Sequence, residues 1–163
     1  MDERRSNGLA LDGVLVKPGE MALALDGSTL VTVVGSGVVV CLWAPEERMA
    51  ALAHFVEPQV DDPECATARF GNAAVPEIVR MVRSKGRCES LESQLFGAAQ
   101  EHDKDSRGKA NAEMAVRQLA RLSISVVSRD LGGSKGRKVV FDGSTGQVAV
   151  MKVHRLREGD WRT

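Results

Sequence analysis

The sequence is poor in aromatic residues and cysteines, and it has no long apolar run. Only 4% of its 163 residues are aromatic, and none is tyrosine. The three cysteines, Cys41, Cys65 and Cys88, are odd in number and show no paired spacing. We therefore expect a reducing, cytoplasmic location and no disulfide framework. The longest apolar run, from Val38 to Ala44, is too short to cross a membrane, so no membrane insertion is expected.

An excess of charge of either sign is also missing. Lys plus Arg and Asp plus Glu number 22 each. This balance offers no basic field for nucleic acid and no acidic excess for cation storage. The first residues, MDERRSNG, are charged and precede no apolar core, so they do not resemble a signal peptide. With 43% hydrophobic residues, we expect one domain over residues 1–163, with flexible ends at 1–11 and 155–163.

Turn residues divide the chain into short β-type segments and two amphipathic stretches. The β-type segments of the first third should pair as antiparallel neighbours. The amphipathic patterns predict helices at 73–85, with Pro76 in the first turn, and at 110–122. Strands are predicted at 13–17, 20–25, 29–34, 38–43, 50–56, 91–97, 124–129, 138–141 and 147–153. This order predicts an α+β domain with both helices on one face of a largely antiparallel sheet.

The first candidate site is the corner Gly35-Ser36-Gly37. Small residues at a corner between two strands let a side chain and backbone amides approach a substrate closely. Ser36 does not lie in a G-x-S-x-G elbow, because Val34 occupies the first glycine position, so a serine hydrolase is disfavoured. A plain glycine turn explains the same residues.

His54 is the second part of that candidate site. Side chains alternate between the faces of a strand, so Gly37 and Cys41 share a face. If 38–43 pairs with 50–56 around the intervening loop, His54 lies opposite Val39 and on that same face. The histidine then points toward Gly37 or toward Cys41. A buried core histidine is the alternative interpretation.

Two polar segments carry weaker signals. LGGSKGRK, residues 131–138, mixes glycines with three cations as a phosphate cradle does, but it lacks the strand and helix frame of a P-loop. A solvated turn explains it better. His102, Asp103 and Asp105 lie in a charged loop and have no second cluster of ligands, so we predict no metal site and no cofactor.

With these residues in view, the sequence resembles the CheD family of bacterial chemotaxis over residues 13–153. Family members commonly read T-x-x-G-S-C-V-x-V-C at the corner, A-H-F at the histidine and G-G-A after the middle strand. The segments that carry the resemblance are VKPGEMALA, TVVGSGVVVCLW, AHFVEP, ARFGNAAVPEIV, LESQLFGAA, the helix around Asn111 and VVSRDLGGSKGRKVVFDGSTGQVAV.

The resemblance implies an α/β/β sandwich and a cysteine hydrolase that deamidates glutamine side chains on chemoreceptor cytoplasmic helices. The cysteine attacks the amide carbon, and the histidine activates the thiol and protonates the departing ammonia. Here His54 matches the histidine and Thr32 matches the threonine that supports it. Ser36 and Gly37 form the rest of the candidate site, and a CheC-type phosphatase is a further possible partner. We expect His54 to line a surface groove above Gly37, with Thr32 close by.

Gly37 stands where the family carries its nucleophile, so the sequence predicts a catalytically silent member that acts by binding. Ala98, Ala110 and Asn72 also depart from residues that the family commonly carries. Two alternatives remain open: an active deamidase that uses Cys41 with His54, and a phosphate or nucleotide module at residues 131–138.

Overall fold

The computed structural model describes residues 13–100 and 106–153. The expected flexible ends, 1–11 and 155–163, lie outside the described residues, and so does Asp12. The loop with His102, Asp103 and Asp105 lies outside them as well.

Within the described residues, nine strands form two stacked sheets. The five-stranded sheet has the order β2-β5-β4-β6-β7 and the four-stranded sheet has the order β1-β3-β8-β9. All neighbours are antiparallel except β1–β3 and β6–β7, which are parallel. The strands are β1 Gly13–Leu15, β2 Met21–Ala24, β3 Thr29–Val34, β4 Val38–Ala44, β5 Met49–Phe55, β6 Glu92–Gly97, β7 Ser125–Leu131, β8 Gly136–Phe141 and β9 Val148–Val153.

Two helices cover one face of the five-stranded sheet. Helix α1 spans Gly71–Arg83 and helix α2 spans Arg107–Arg121. Ile78 and Leu119 from the helices share a core with Val40 of β4. The layers therefore run helices, five-stranded sheet, four-stranded sheet, which confirms the expected α+β fold of α/β/β type.

The opposite face of the five-stranded sheet packs against the four-stranded sheet. Alternate residues of β4, Val39 and Cys41, point into this second core, where they meet Leu30, Val139 and Phe141. Every side chain of β4 except Trp43 is buried, because both faces of this central strand are covered. This explains why β4 reads as a continuous apolar run.

The expectation of antiparallel neighbours is wrong for most of the first five strands. Among these five, β4 and β5 are the only consecutive strands that pair with each other. The turns at 18–19, 26–27 and 35–37 instead carry the chain from one sheet to the other. Turn residues fix where a chain reverses but not which strand it then pairs with, so the sequence did not reveal these crossings.

The helix boundaries also differ from the prediction. Helix α1 begins at Gly71, so Pro76 lies in its second turn rather than its first. A Cβ at Gly71 would stand 2.7 Å from the Phe55 ring and 2.9 Å from Met114. Only glycine therefore allows this close approach of α1 to its neighbours. Helix α2 begins at Arg107, three residues before the predicted start at residue 110.

A β-bulge interrupts the pairing of β6 with β7. Ser93 pairs with Val126 and Gln94 pairs with Ser128, so Val127 is left without a partner on β6. Val127 is 55% exposed. The bulge turns this apolar side chain outward and breaks the regular edge of the sheet.

Candidate active site

The histidine lies between the two sheets, on the face that the strand pairing predicted. His54 of β5 is opposite Val39, and Trp43 is opposite Ala50, as expected. Thr32 of β3 faces it from the four-stranded sheet, and Thr32 Oγ1 is hydrogen-bonded to His54 Nδ1 at 2.9 Å. Thr32 is 0% exposed and His54 is 2% exposed. One buried hydrogen bond thus joins the two sheets at this residue pair.

The expected surface groove is wrong, because His54 is buried. The second sheet covers the imidazole, and this burial lowers the pKa of His54 from 6.5 to about 4. The ring is therefore neutral at neutral pH. The hydrogen bond with Thr32 is a contact that a core histidine could also make.

Gly37 lies at the other side of the imidazole. An ideal Cβ at position 37 would stand 3.2 Å from His54 Nε2, 2.6 Å from the Phe55 carbonyl oxygen and 3.4 Å from Val56 Cα. The backbone of Gly37 is outside the left-handed region, so the limit on a larger residue is space rather than backbone conformation. A side chain at this position would point at the imidazole, but the Phe55 carbonyl would have to move first.

Backbone hydrogen bonds hold the Gly35-Ser36-Gly37 corner against the end of β6. Ala98 N donates to Gly37 O at 2.7 Å, and Ala99 N donates to Gly35 O at 2.9 Å. Gly37 is buried and Ser36 is half-buried. The corner is therefore a fixed part of the sheet junction and not an exposed turn.

Asn111 of α2 ties this corner to the end of β5. Its Nδ2 donates to Ser36 O and to Val56 O, both at 3.0 Å. The side chain is 0% exposed, and Oδ1 has no hydrogen-bond partner among the residues that the structure describes. No role for Asn111 was predicted from the sequence. An amide inside the apolar face of a predicted helix was the signal that could have indicated one.

Residues 56–152 match the family described as "CheD chemotactic sensory transduction". The chain belongs to the CheD family. It is 36% identical over 145 residues to "Probable chemoreceptor glutamine deamidase CheD 1" of Anaeromyxobacter dehalogenans, covering 86% of this chain and 84% of that protein. A relative of the same name without the number, from Trichlorobacter lovleyi, is 34% identical over 136 residues, covering 80% of this chain and 84% of the relative. A third, from Sulfurimonas denitrificans, is 26% identical over 147 residues, covering 86% and 94%.

The glycine-rich segment 131–138 of this CheD chain is hydrogen-bonded to the end of β6, next to the Gly35-Ser36-Gly37 corner. Gly132 N donates to Gly97 O at 2.9 Å, and Gln100 N donates to Gly133 O at 2.7 Å. Gly132 and Gly133 have φ angles of +89° and +73°, which other residues rarely adopt. The segment connects β7 to β8 and leads into no helix. It therefore lacks the helix N-terminus with which phosphate loops bind anions.

Arg137, the central cation of that segment, is fully enclosed. It is 2% exposed and donates to the carbonyl oxygens of Gly97, Gly132 and Lys135 at 2.7–3.1 Å. It also forms an ion pair with Asp130 at 3.1 Å. This guanidinium holds the chain together between the two sheets and does not face solvent.

The thiol of Cys41 is not placed for chemistry. Cys41 is opposite Leu52 and is 1% exposed, within the core between the sheets. Burial strongly raises the pKa of this thiol. It therefore stays protonated at neutral pH, whereas a nucleophile needs the thiolate.

One of the departures from the common CheD pattern, Asn72, has a structural explanation, whereas nothing in the structure explains Ala98. Ala98 has a φ of +57°, a backbone conformation that favours glycine, the residue that the family commonly carries there. Asn72 accepts from Val60 N at 3.0 Å and donates to Val60 O at 2.9 Å. An aspartate could make the first bond but not the second, so Asn72 closes the loop before α1. Ala110 lies half-buried in the first turn of α2.

Within residues 13–100 and 106–153, no group of three or more His, Cys, Asp or Glu side chains is close enough to hold a metal ion. No helix in these residues has the length and apolar character needed to span a bilayer.

Proposed function

We propose that this CheD protein acts in bacterial chemotaxis by binding chemoreceptor cytoplasmic helices, or a CheC-type phosphatase, without deamidating the receptor. The relatives named as chemoreceptor glutamine deamidases supply the chemotaxis role. The observation that supports the absence of deamidation is that Gly37, which has no side chain, lies next to His54 Nε2. The residue that the imidazole faces has no side chain.

Glutamine deamidation needs a nucleophile at that place. A thiolate attacks the amide carbon, and the C–N bond breaks as the imidazolium gives its proton to the departing ammonia. Water then hydrolyses the thioester, giving glutamate and the free thiol. His54 and Thr32 have the arrangement of the base and its support, with Nδ1 occupied by Thr32 and Nε2 toward position 37. Gly37 offers no atom that could form the thioester.

The frame around the candidate site is complete in this chain, which supports a binding role. The two sheets, the corner and its clamp at Asn111 are intact although the nucleophile is missing. Removing the nucleophile of a hydrolase costs rate on the order of a millionfold. A chain with this frame and no thiol retains a shape that can recognise a partner and loses the reaction.

The two alternatives gain no support from the described contacts. Cys41 is buried between the sheets with a raised pKa, and it lies two residues from Val39 along β4, roughly 7 Å. Arg137 of the segment 131–138 is engaged by three carbonyl oxygens and Asp130. Neither the Cys41 thiol nor the Arg137 guanidinium is therefore presented to a ligand.

Mass spectrometry of a receptor cytoplasmic fragment tests the proposal. The unmodified chain should leave the receptor glutamines unchanged, and it should bind the fragment or a CheC-type phosphatase in a sedimentation assay. Deamidation by the unmodified chain that disappears in Cys41→Ser would contradict the silent role. Absence of binding to both partners would contradict the binding role.

Gly37→Cys tests the same site by supplying the missing thiol. We expect this variant to convert receptor Gln to Glu at a measurable rate that is lost when His54→Gln is added. The variant must displace the Phe55 carbonyl, which lies 2.6 Å from the new Cβ, and this costs about 1–3 kcal/mol of stability. Gly37→Ala is the matched control, because it brings the same Cβ without a thiol. It should lose similar stability and gain no activity. Equal deamidation by both variants would show that the thiol at position 37 is not the nucleophile.

A further inference from the structure

A groove separates the C-terminal ends of the two helices. It has a volume of about 430 Å³ and is lined by Pro76, Val79, Arg80, Arg83, Ser84 and Leu122. Its floor is apolar: Val79 is 1% exposed, and Pro76 and Leu122 are half-buried. Arg83 Nη2 donates to Leu122 O at 3.1 Å, so one guanidinium joins the two sides of the groove.

Arginines flank this groove from both helices. Helix α1 contributes Arg80 and Arg83. On α2, Met114 faces α1, because a Cβ at Gly71 of α1 would stand 2.9 Å from Met114 Cγ. Residues 117 and 121 follow Met114 by three and seven positions, which places them on the same side of the helix. Both are exposed arginines, so two further cations border the groove from the α2 side.

Most of these charges are not neutralised within the protein. Lys plus Arg equal Asp plus Glu over the whole chain, but α2 carries four cationic residues and one acidic residue. Among the described residues, no acidic side chain forms an ion pair with Arg83, Arg117 or Arg121. Arg80 is the exception and is paired with Glu77. A positive potential therefore surrounds an apolar floor, on a chain without net charge.

The groove is remote from the candidate active site. Asn111, near the start of α2, is bonded to the corner at Ser36 O. Arg121 lies ten residues farther along the same helix, at roughly 15 Å along its axis. A ligand in the groove would therefore contact a surface separate from His54 and Gly37.

We infer that this groove binds an acidic amphipathic helix of a partner protein. The apolar face of such a helix packs on Val79 and Leu122, as in other complexes in which a helix lies in a groove. Its carboxylates pair with the flanking arginines, whose planar guanidinium groups bind carboxylates in a bidentate manner. Arg83 keeps donors for this purpose, since its bond to Leu122 O uses only one of five N–H groups.

The shape of the surface favours a helix over a membrane. A protein that binds a lipid surface inserts apolar side chains that protrude from it. Here the apolar residues form the floor, where Val79 is buried, and the exposed residues are the arginines. A single helix fits this order of apolar and charged groups.

A stapled, fluorescein-labelled peptide helix of about four turns tests the inference. The peptide carries leucines along one face and glutamates on both sides of that face, and its matched control has lysine in place of every glutamate. In fluorescence anisotropy we expect the acidic peptide to bind at least tenfold more tightly than the lysine peptide. Amide chemical-shift changes should centre on residues 76–84 and 117–122.

Two exposed arginines give a matched pair of variants. Arg121→Glu replaces attraction by repulsion beside the groove and should weaken binding of the acidic peptide about fivefold or more. Arg129→Glu makes the same charge change on β7, outside the groove lining, and should alter the affinity less than twofold. Both variants should keep the thermal stability of the unmodified chain, because both positions are on the surface.

Four outcomes would overturn the inference. These are equal affinities for the two peptides, equal losses in Arg121→Glu and Arg129→Glu, chemical-shift changes centred away from the groove, and Arg121-dependent binding to anionic lipid vesicles with none to the acidic peptide. The peptide contains no receptor or phosphatase sequence. The result is therefore independent of deamidation and of whether the proposed partners bind.

Discussion

The imidazole of His54 is the residue whose surroundings decide most about the candidate site. It has Thr32 on one side and the position of Gly37 on the other. In a cysteine hydrolase this arrangement would pass a proton between a thiol and a leaving group. With hydrogen as the side chain of Gly37, the imidazole is left as a neutral, buried group that connects two sheets.

Burial of His54 predicts a loss of stability in mild acid. The pKa is about 4 in the folded protein and 6.5 in the unfolded chain. As the pH falls from 6.5 to 4, the unfolded chain binds a proton that the folded protein does not. The free energy of unfolding should therefore be largest above pH 6.5 and should fall by about 3 kcal/mol by pH 4. Urea unfolding at a series of pH values measures this change.

The control for this experiment is His54→Gln, which keeps a polar partner for Thr32 but does not titrate. Its stability should change much less than that of the unmodified chain between pH 6.5 and 4.

The pKa values of three aspartates are lowered from 3.8 by hydrogen bonds: Asp26 with Ser28, Asp130 with Arg137, and Asp142 with Ser144. Their contributions are lost only below that window. Equal pH slopes for the two proteins would contradict the assignment to His54.

The sequence predicted toward which face of β5 the side chain of His54 points, but not that this side chain is buried. Alternation along β4 and β5 was enough to place His54 on the face of Gly37 and Cys41. Whether that face is open depends on the four-stranded sheet stacked on it, and no local pattern near residue 54 reports on that stacking. The gap of 2.6 Å between a Cβ at Gly37 and Phe55 O is likewise a property of the assembled junction.

At the scale of elements, α2 is joined to the corner by the amide of Asn111. We predict that Asn111→Ala lowers the free energy of unfolding by about 2 kcal/mol, because Ser36 O and Val56 O, both part-buried, lose the donor that the fully buried amide supplies. Chemical denaturation measures the loss. The matched control is Asn72→Ala, which also removes two bonds to backbone.

The control should cost less than Asn111→Ala, since water can replace the bonds of a partly exposed amide. Asn111→Asp should be worse than Asn111→Ala, because it removes the donor and buries a carboxylate. If Asn111→Ala were as stable as the unmodified chain, the two hydrogen bonds would not be what holds α2 to the corner.

Sequence patterns predicted the helices and strands better than they predicted which strands pair with each other. The apolar periodicity of α1 and α2 and the turn residues between strands gave both helices and all nine strands to within a few residues. The pairing of β1 with β3 and of β3 with β8 crosses between distant segments. In β3, Val31 and Val33 point away from the five-stranded sheet but are apolar like Leu30, which points toward it. Alternation therefore did not show which face of β3 packs against the other sheet.

At the scale of the whole molecule, Arg137 cross-links the two sheets. It belongs to β8 and donates to Gly97 O of β6, and it pairs with Asp130 of β7. We predict that Arg137→Met destabilises the protein by about 3 kcal/mol, because several buried acceptors lose their donor. Amide hydrogen exchange should speed up at Ala98, whose N–H lies next to Gly97 in the junction.

Arg129→Met is the control for that prediction. Arg129 is an exposed residue of β7, so its replacement should change stability by less than about 0.5 kcal/mol. A loss at Arg137 no larger than this would contradict the cross-link. The sequence displayed Arg137 as one of three cations in a glycine-rich turn, and only the stacking of the sheets shows that it is buried.

The bulge at Val127 has a consequence for how copies of the chain aggregate. Strand β7 is an edge strand, and its skipped residue prevents another strand from adding to it in regular register. Strand β9 is one edge of the other sheet and pairs with β8 over six consecutive residues without a bulge. Of these two edges, we therefore expect partly unfolded copies to pair at residues 148–153 of β9 and not at β7.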